Sequence, residues 1–177
     1  MEELNMFKSK IISLGANRVE AVLVKDIIFS PELRKRCESN KCGSYGKNWT
    51  CPPHVEEIYT LINELKMYKS ALVFQRVYSL DEMDTNTAKD SFRKMTNKIV
   101  HIFSSTTNPQ AKLLSVGGCH ICEECGAMKN LPCHFPSIAY SSLEAYGIKI
   151  SELARVSGMN LNNGDNTITM FGTVFIN

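Results

Sequence analysis

Four cysteines fall within fifteen residues in the stretch Gly117 to Pro136, GGCHICEECGAMKNLPCHFP: Cys119, Cys122, Cys125 and Cys133. In a Cys-x-x-Cys step the intervening backbone curls so that both sulfurs face one centre. Two such steps sharing Cys122 bring three sulfurs out of one tight loop, which fits three corners of a cubane iron–sulfur cluster. Bacterial ferredoxins use a related run, Cys-x2-Cys-x2-Cys-x3-Cys-Pro. Here the fourth cysteine follows after seven residues, and Pro136 stands three beyond it. The spacing predicts a [4Fe–4S] site. Zinc is the rival. Structural zinc draws mostly on two separated Cys-x-x-Cys knuckles, whereas three ligands from one continuous run favour a cluster. Buried free thiols are common in cores, but four at this spacing are poorly explained that way. Cys133 could also serve a different centre, because ferredoxins exchange the cysteine next to proline between clusters.

A second cysteine loop, CESNKCGSYGKNWTCPP, covers residues 37–53 and carries Cys37, Cys42 and Cys51. Gly43 and Gly46 allow the tight, positive-φ backbone of a metal-wrapping loop. Three cysteines leave a cubane one ligand short. The fourth could be His54, another cysteine, a bound small molecule, or nothing, and an open iron can act as a Lewis acid on substrate. The bland alternative makes Cys37 a bystander, with Cys42 and Cys51 completing a zinc site. The spacing is not the Cys-x3-Cys-x2-Cys of radical enzymes that use S-adenosylmethionine. Trp49 reads as a packed shield. His120 and His134, flanking ligand cysteines, read as hydrogen-bonding neighbours or surface residues. There is no phosphate-binding glycine loop, no nucleophile elbow and no convincing acid–base pair of carboxylates.

Composition narrows the context. The 177 residues, 44% hydrophobic and 21% charged, suit one domain spanning 1–177 with a core of ordinary size. Twenty basic and eighteen acidic residues give a net charge of +2, which makes no case for a nucleic-acid partner; Arg34-Lys35-Arg36 reads as a solvated helix face. The N-terminus begins with acids and lacks an apolar signal region, and no apolar run approaches the ~18 residues of a membrane span. Seven cysteines, an odd number, fit a disulfide framework poorly. Thiolate ligands in the reducing cytoplasm are the better expectation.

The elements that must position these loops follow from periodicity. Met1 to Asn17 reads as a helix through Leu4, Phe7, Ile11 and Leu14. Val19 to Val24 reads as a strand that Ile27 to Phe29 could extend. Ser30 caps, and Pro31 starts, a short helix that delivers Cys37. After Pro52-Pro53, Val55, Ile58, Leu61, Ile62 and Leu65 mark a helix, so Cys51 is expected just before a helix N-terminus, where the macrodipole would lower its pKa. Ala71 to Tyr78 is a strand. Asp84 to Phe103 is a long amphipathic helix, broken at Asn108-Pro109. Lys112 to Val116 is a strand running into Cys119. Pro136 to Tyr146 reads as a helix closed by Gly147, Ser151 caps another, Asn162 to Asp165 is a turn, and Thr167 to Ile176 is the last strand. This order implies an α+β domain of α/β-like character: a mixed sheet of about four strands with helices packed on it, the first three strands parallel. Both cysteine loops would then sit at one edge of the sheet.

With both loops read, the chain resembles a prokaryotic domain-of-unknown-function family of predicted metal-binding proteins. The resemblance is carried by Cys42-Gly-Ser-Tyr-Gly-Lys-Asn-Trp-Thr-Cys51-Pro-Pro, by Gly118-Cys119-x2-Cys122-x2-Cys125, by Pro132-Cys133-x-x-Pro136, by Ser141 to Gly147 and by Phe171-Gly172. His134 stands where the family pattern implies an arginine. The resemblance implies metal binding and names no reaction. The expected function is a cysteine-ligated metal protein with one [4Fe–4S] cluster, or two, working in electron transfer with a redox partner protein. The alternatives are a zinc-stapled structural or adaptor domain, and an enzyme that binds substrate at an open iron of the three-cysteine cluster.

Overall fold

In a computed structural model, residues 2–105 and 111–177 are described; the Asn108-Pro109 helix break falls outside them. Ser70–Ser79 (β2) and Thr167–Ile176 (β5) carry apolar side chains at successive positions, as strands buried on both faces do. They pair antiparallel along their full length within a five-stranded sheet, of which β5 is the central strand. Arg18–Leu23 (β1) pairs antiparallel with β2, Lys112–Ser115 (β3) antiparallel with β5, and Ser141–Ser142 (β4) parallel with β3. The domain is therefore α+β with a mixed sheet, one strand richer than expected.

Alternation sorts the two faces. Leu72, Phe74, Met170, Val174 and Ile176 pack with Phe7 and Ile11 of Glu2–Ser13 (α1), and with Phe92, Met95 and Ile99 of Thr85–Ser104 (α4). Ala71, Val73, Phe171 and Phe175 pack on the other side, against Leu61 and Leu65 of Ile58–Lys66 (α3) and Leu153 and Ala154 of Ile150–Val156 (α5). Asp84 caps α4, accepting the N–H groups of Asn86 and Thr87. No helix among the described residues is long and apolar enough to cross a membrane.

Three expectations need correction. The first three strands are not all parallel: β1 runs against β2, so its C-terminal end lies opposite the cysteine loop that follows β3. The chain returns through short 3-10 turns, the Phe29–Ile148 bridge and the helix Arg34–Glu38 (α2), which bears Cys37. Pro136 to Tyr146 is not a helix. Its Ser141-Ser142 step is captured by the exposed edge of β3, and only Glu144–Tyr146 forms a 3-10 turn, closed by Gly147 at φ +72. Finally, α3 starts at Ile58 rather than directly after Cys51, and α5 starts at Ile150, with Ser151 inside it and Lys149 at its cap.

Candidate metal centre

The segment after β3 turns at Gly117, φ +78, and projects Cys119. Its sulfur accepts the backbone N–H groups of Ile121 and Tyr140, so the loop and the approach to β4 both point donors at it. Beyond Cys125 the chain makes a 3-10 turn, Gly126–Lys129, ending at Asn130 in the left-handed conformation. Leu131 N–H then bonds back to Gly126 O at 2.9 Å. A Cβ on Gly126 would lie 2.7 Å from the carbonyl oxygens of Leu131 and Pro132, so only glycine permits this return. The return brings Cys133 beside the others: Cys119, Cys122, Cys125 and Cys133 line one cleft of about 240 Å³, together with Lys47, Trp49, His120 and His134.

The other cysteine loop is wound on Gly43 and Gly46, at φ +77 and +70 as expected, and on Asn40, also left-handed, whose Oδ1 accepts Tyr45 N–H at 3.0 Å. Cys37, Cys42 and Cys51 line a second cleft of about 480 Å³ with Arg36, Lys41, Tyr45, Ser142 and Glu144. All seven cysteines are free thiols. The sulfurs stand around the clefts rather than meeting at a point. Among the described residues, no three His, Cys, Asp or Glu side chains are drawn close enough to hold a single ion.

The two loops are laced together by the short run Asn48-Trp49-Thr50. Asn48 is buried and donates Nδ2–H to Cys119 O at 2.8 Å, while its Oδ1 accepts Thr50 N–H and Thr50 Oγ1–H. Cys119 N–H donates to Thr50 Oγ1 at 3.3 Å, and Ser141 Oγ–H to Thr50 O at 2.5 Å. Trp49 N–H points at Cys125 Sγ, 3.5 Å away, and its indole N–H donates to Leu131 O at 2.9 Å. Trp49 thus ties down the four-cysteine loop through both its backbone and its indole N–H. Such N–H···S contacts favour the anionic sulfur of a bound ligand.

Cys51 stands between the two sets. Ser44 lines both clefts, and Gly118 packs directly on the Cys51 side chain. Burial, with the charges of Cys42, Cys37, Cys119 and Cys125 adding to it, pushes the Cys51 thiol up to about 12. This reverses the expected lowering by a helix N-terminus. Six residues separate Cys51 from Ile58, so no macrodipole reaches it and desolvation dominates. Burial likewise raises the thiols of Cys37, Cys119 and Cys122 and the carboxyl of Glu144. His54 does not line the three-cysteine cleft: its ring packs on Trp49 at 4.6 Å and its Nε2 meets Gly46 O at 3.2 Å.

Sequence reading missed Glu144, Arg36 and Lys41 as lining of the three-cysteine cleft: Glu144 and Arg36 lie outside the cysteine loops, and Lys41, inside one, carries no ligand signature. It also missed Asn48, although Asn-x-Thr inside the loop is a local hydrogen-bonding pattern that could have pointed to it. The donor set of seven soft sulfurs with backbone N–H groups aimed at two of them suits thiolate-bound metal or an iron–sulfur cluster. The sequence model of a protein family described as predicted metal-binding protein (DUF2284) matches residues 20–176. No curated protein and no solved structure matches the chain.

Proposed function

The chain belongs to this predicted metal-binding family, and from that premise we propose that it is an iron–sulfur protein with a redox role. In this reading Cys119, Cys122, Cys125 and Cys133 hold one [4Fe–4S] cluster, and Cys37, Cys42 and Cys51 hold a second. The observation that carries it is that four cysteines line a single cleft, brought there by the Gly126 turn, with N–H donors from Ile121, Tyr140 and Trp49 at two of the sulfurs. A cubane needs sulfurs spread around a volume, whereas zinc needs four donors within about 2.3 Å of one point. When bound, the clusters supply one-electron transfer. The protein's part is to fix the ligands, to exclude water with Trp49, and to donate hydrogen bonds to sulfur.

The adjoining clefts, with Cys51 between them, support transfer between the two centres, and the reducing cytoplasm suits unpaired thiols. The four-cysteine cleft opens past exposed Met128 and Phe135, an apolar mouth that a redox partner protein would cover. A second reading, an enzyme working at the three-cysteine cluster, is favoured by the larger size of that cleft and by Arg36 and Lys41 on its walls, which suit a small anionic substrate.

Anaerobically reconstituted protein should show the broad visible absorption of thiolate-bound clusters and lose it on reduction. Cys125→Ser and Cys51→Ser should each remove part of it. Colourless protein that binds zinc alone in both sites overturns the proposal in favour of the zinc-stapled domain.

A further inference from the structure

The three-cysteine cleft contains one more anionic side chain, and it arrives from a different part of the fold. β4 delivers Ser142 to the cleft wall, and the 3-10 turn that follows sets Glu144 there. This turn packs against α2, the helix that carries Cys37, and the Glu144 charge acts directly on the Cys37 thiol. Glu144 makes no ion pair among the described residues, and its carboxylate accepts its own backbone N–H. Arg36 acts on it without direct contact, so this half-buried carboxylate stands beside three thiols with no ion-pair partner of its own.

The other residues of that cleft are poorer donors to a metal. Arg36 has no free lone pair, and Lys41 would have to lose its proton. Tyr45 and the serines bring hydroxyls in place of a carboxylate, and Ser142 Oγ already accepts Ala145 N–H at 3.1 Å. His54 is turned toward Trp49. We infer that Glu144 is the fourth protein ligand of the Cys37, Cys42, Cys51 centre, giving a three-thiolate, one-carboxylate site. The inference rests on the reading of that cleft as a cluster site. Arg36 and Lys41 on the cleft walls offset the negative charge that four anionic ligands gather. The harder, more weakly held oxygen makes this corner the one an incoming ligand would displace.

The test is Mössbauer and EPR spectroscopy of protein reconstituted anaerobically with labelled iron, comparing wild type, Glu144→Gln and Cys51→Ser, with circular dichroism to verify the fold. The carboxylate-bound iron should appear in wild type as a component distinct from the all-thiolate irons. Glu144→Gln, which keeps shape and removes the anionic ligand, should shift that component and release that iron on mild oxidation. If Glu144→Gln matches wild type while Cys51→Ser loses iron, the cluster reading stands and Glu144 is not a ligand. If Cys51→Ser also matches wild type, the cleft holds no cluster and both claims fall.

Discussion

A Cβ added at Gly118 would sit 2.8 Å from Cys51 Sγ, closer than real side chains approach. The residue before the first cysteine of one loop is thus the floor under the last cysteine of the other. Gly118→Ala should force Cys51 off its position, lower the metal content of the three-cysteine centre, and destabilise the protein by about 1–3 kcal/mol as an overpacked core does. Denaturant melts and iron per chain check both effects. Wild-type stability with full metal content would show that the contact is dispensable.

Asn48 is the polar tie between the loops, and its bonds can be separated. Asn48→Ala leaves Thr50 N–H and Cys119 O without their partner and should cost about 1–3 kcal/mol. Asn48→Asp keeps the acceptors for Thr50 but loses the donor to Cys119 O. Its second carboxylate oxygen then faces Cys119 O, so this variant should lose at least as much stability and also quicken the decay of visible absorption in air. Wild-type stability and wild-type decay in both variants would contradict a tie made through Nδ2.

Metal uptake should release protons. Burial holds the thiols of Cys37, Cys119 and Cys122 above their ordinary range, and that of Cys51 at about 12. Thiolate ligation removes those protons, so the bound state carries fewer of them and affinity rises with pH. In the metal-free protein the raised Cys51 pKa acts the other way on folding. The unfolded chain gives up that proton near 9 and the folded chain near 12, so this contribution to stability is whole below about 9 and is lost as pH climbs toward 12. Zinc titrations of metal-free protein at several pH values, in buffers of different ionisation enthalpy, measure the first effect. Thermal melts of metal-free wild type and Cys51→Ser measure the second, and the alkaline loss should be smaller in the variant.

Gly172 offers a control that touches only the fold. A Cβ there would run into the ring tip of Phe74, which is fully buried on β2 opposite Gly172. Gly172→Ala should lower the melting temperature through about 1–3 kcal/mol of overpacking, yet leave iron per folded chain unchanged. Loss of iron from the folded fraction would tie the centre of the sheet to the metal loops.

The grouping of the cysteines was legible because it is carried by short sequence spacing, and the two sets line separate clefts. The periodic elements were legible for the same local reason: Ile58, Leu61, Ile62 and Leu65 bury one helix face, and β5 spans Thr167–Ile176 as read. Failures came where long-range pairing overrode local pattern. Ser141 and Ser142 sit in a stretch with helical spacing, but the open edge of β3 claims them. The pairing of β1 against β2 reversed its direction, which no local feature announces. Glu144 was invisible for a related reason: its nearness to Cys37 exists only once α2 packs on the turn after β4.

The central claim is tested most directly by purifying the protein without oxygen and counting iron, acid-labile sulfide and zinc per chain. Two cubanes predict about eight irons and about eight sulfides, falling to about four of each in Cys125→Ser or Cys51→Ser. Stoichiometric zinc with no labile sulfide would contradict it.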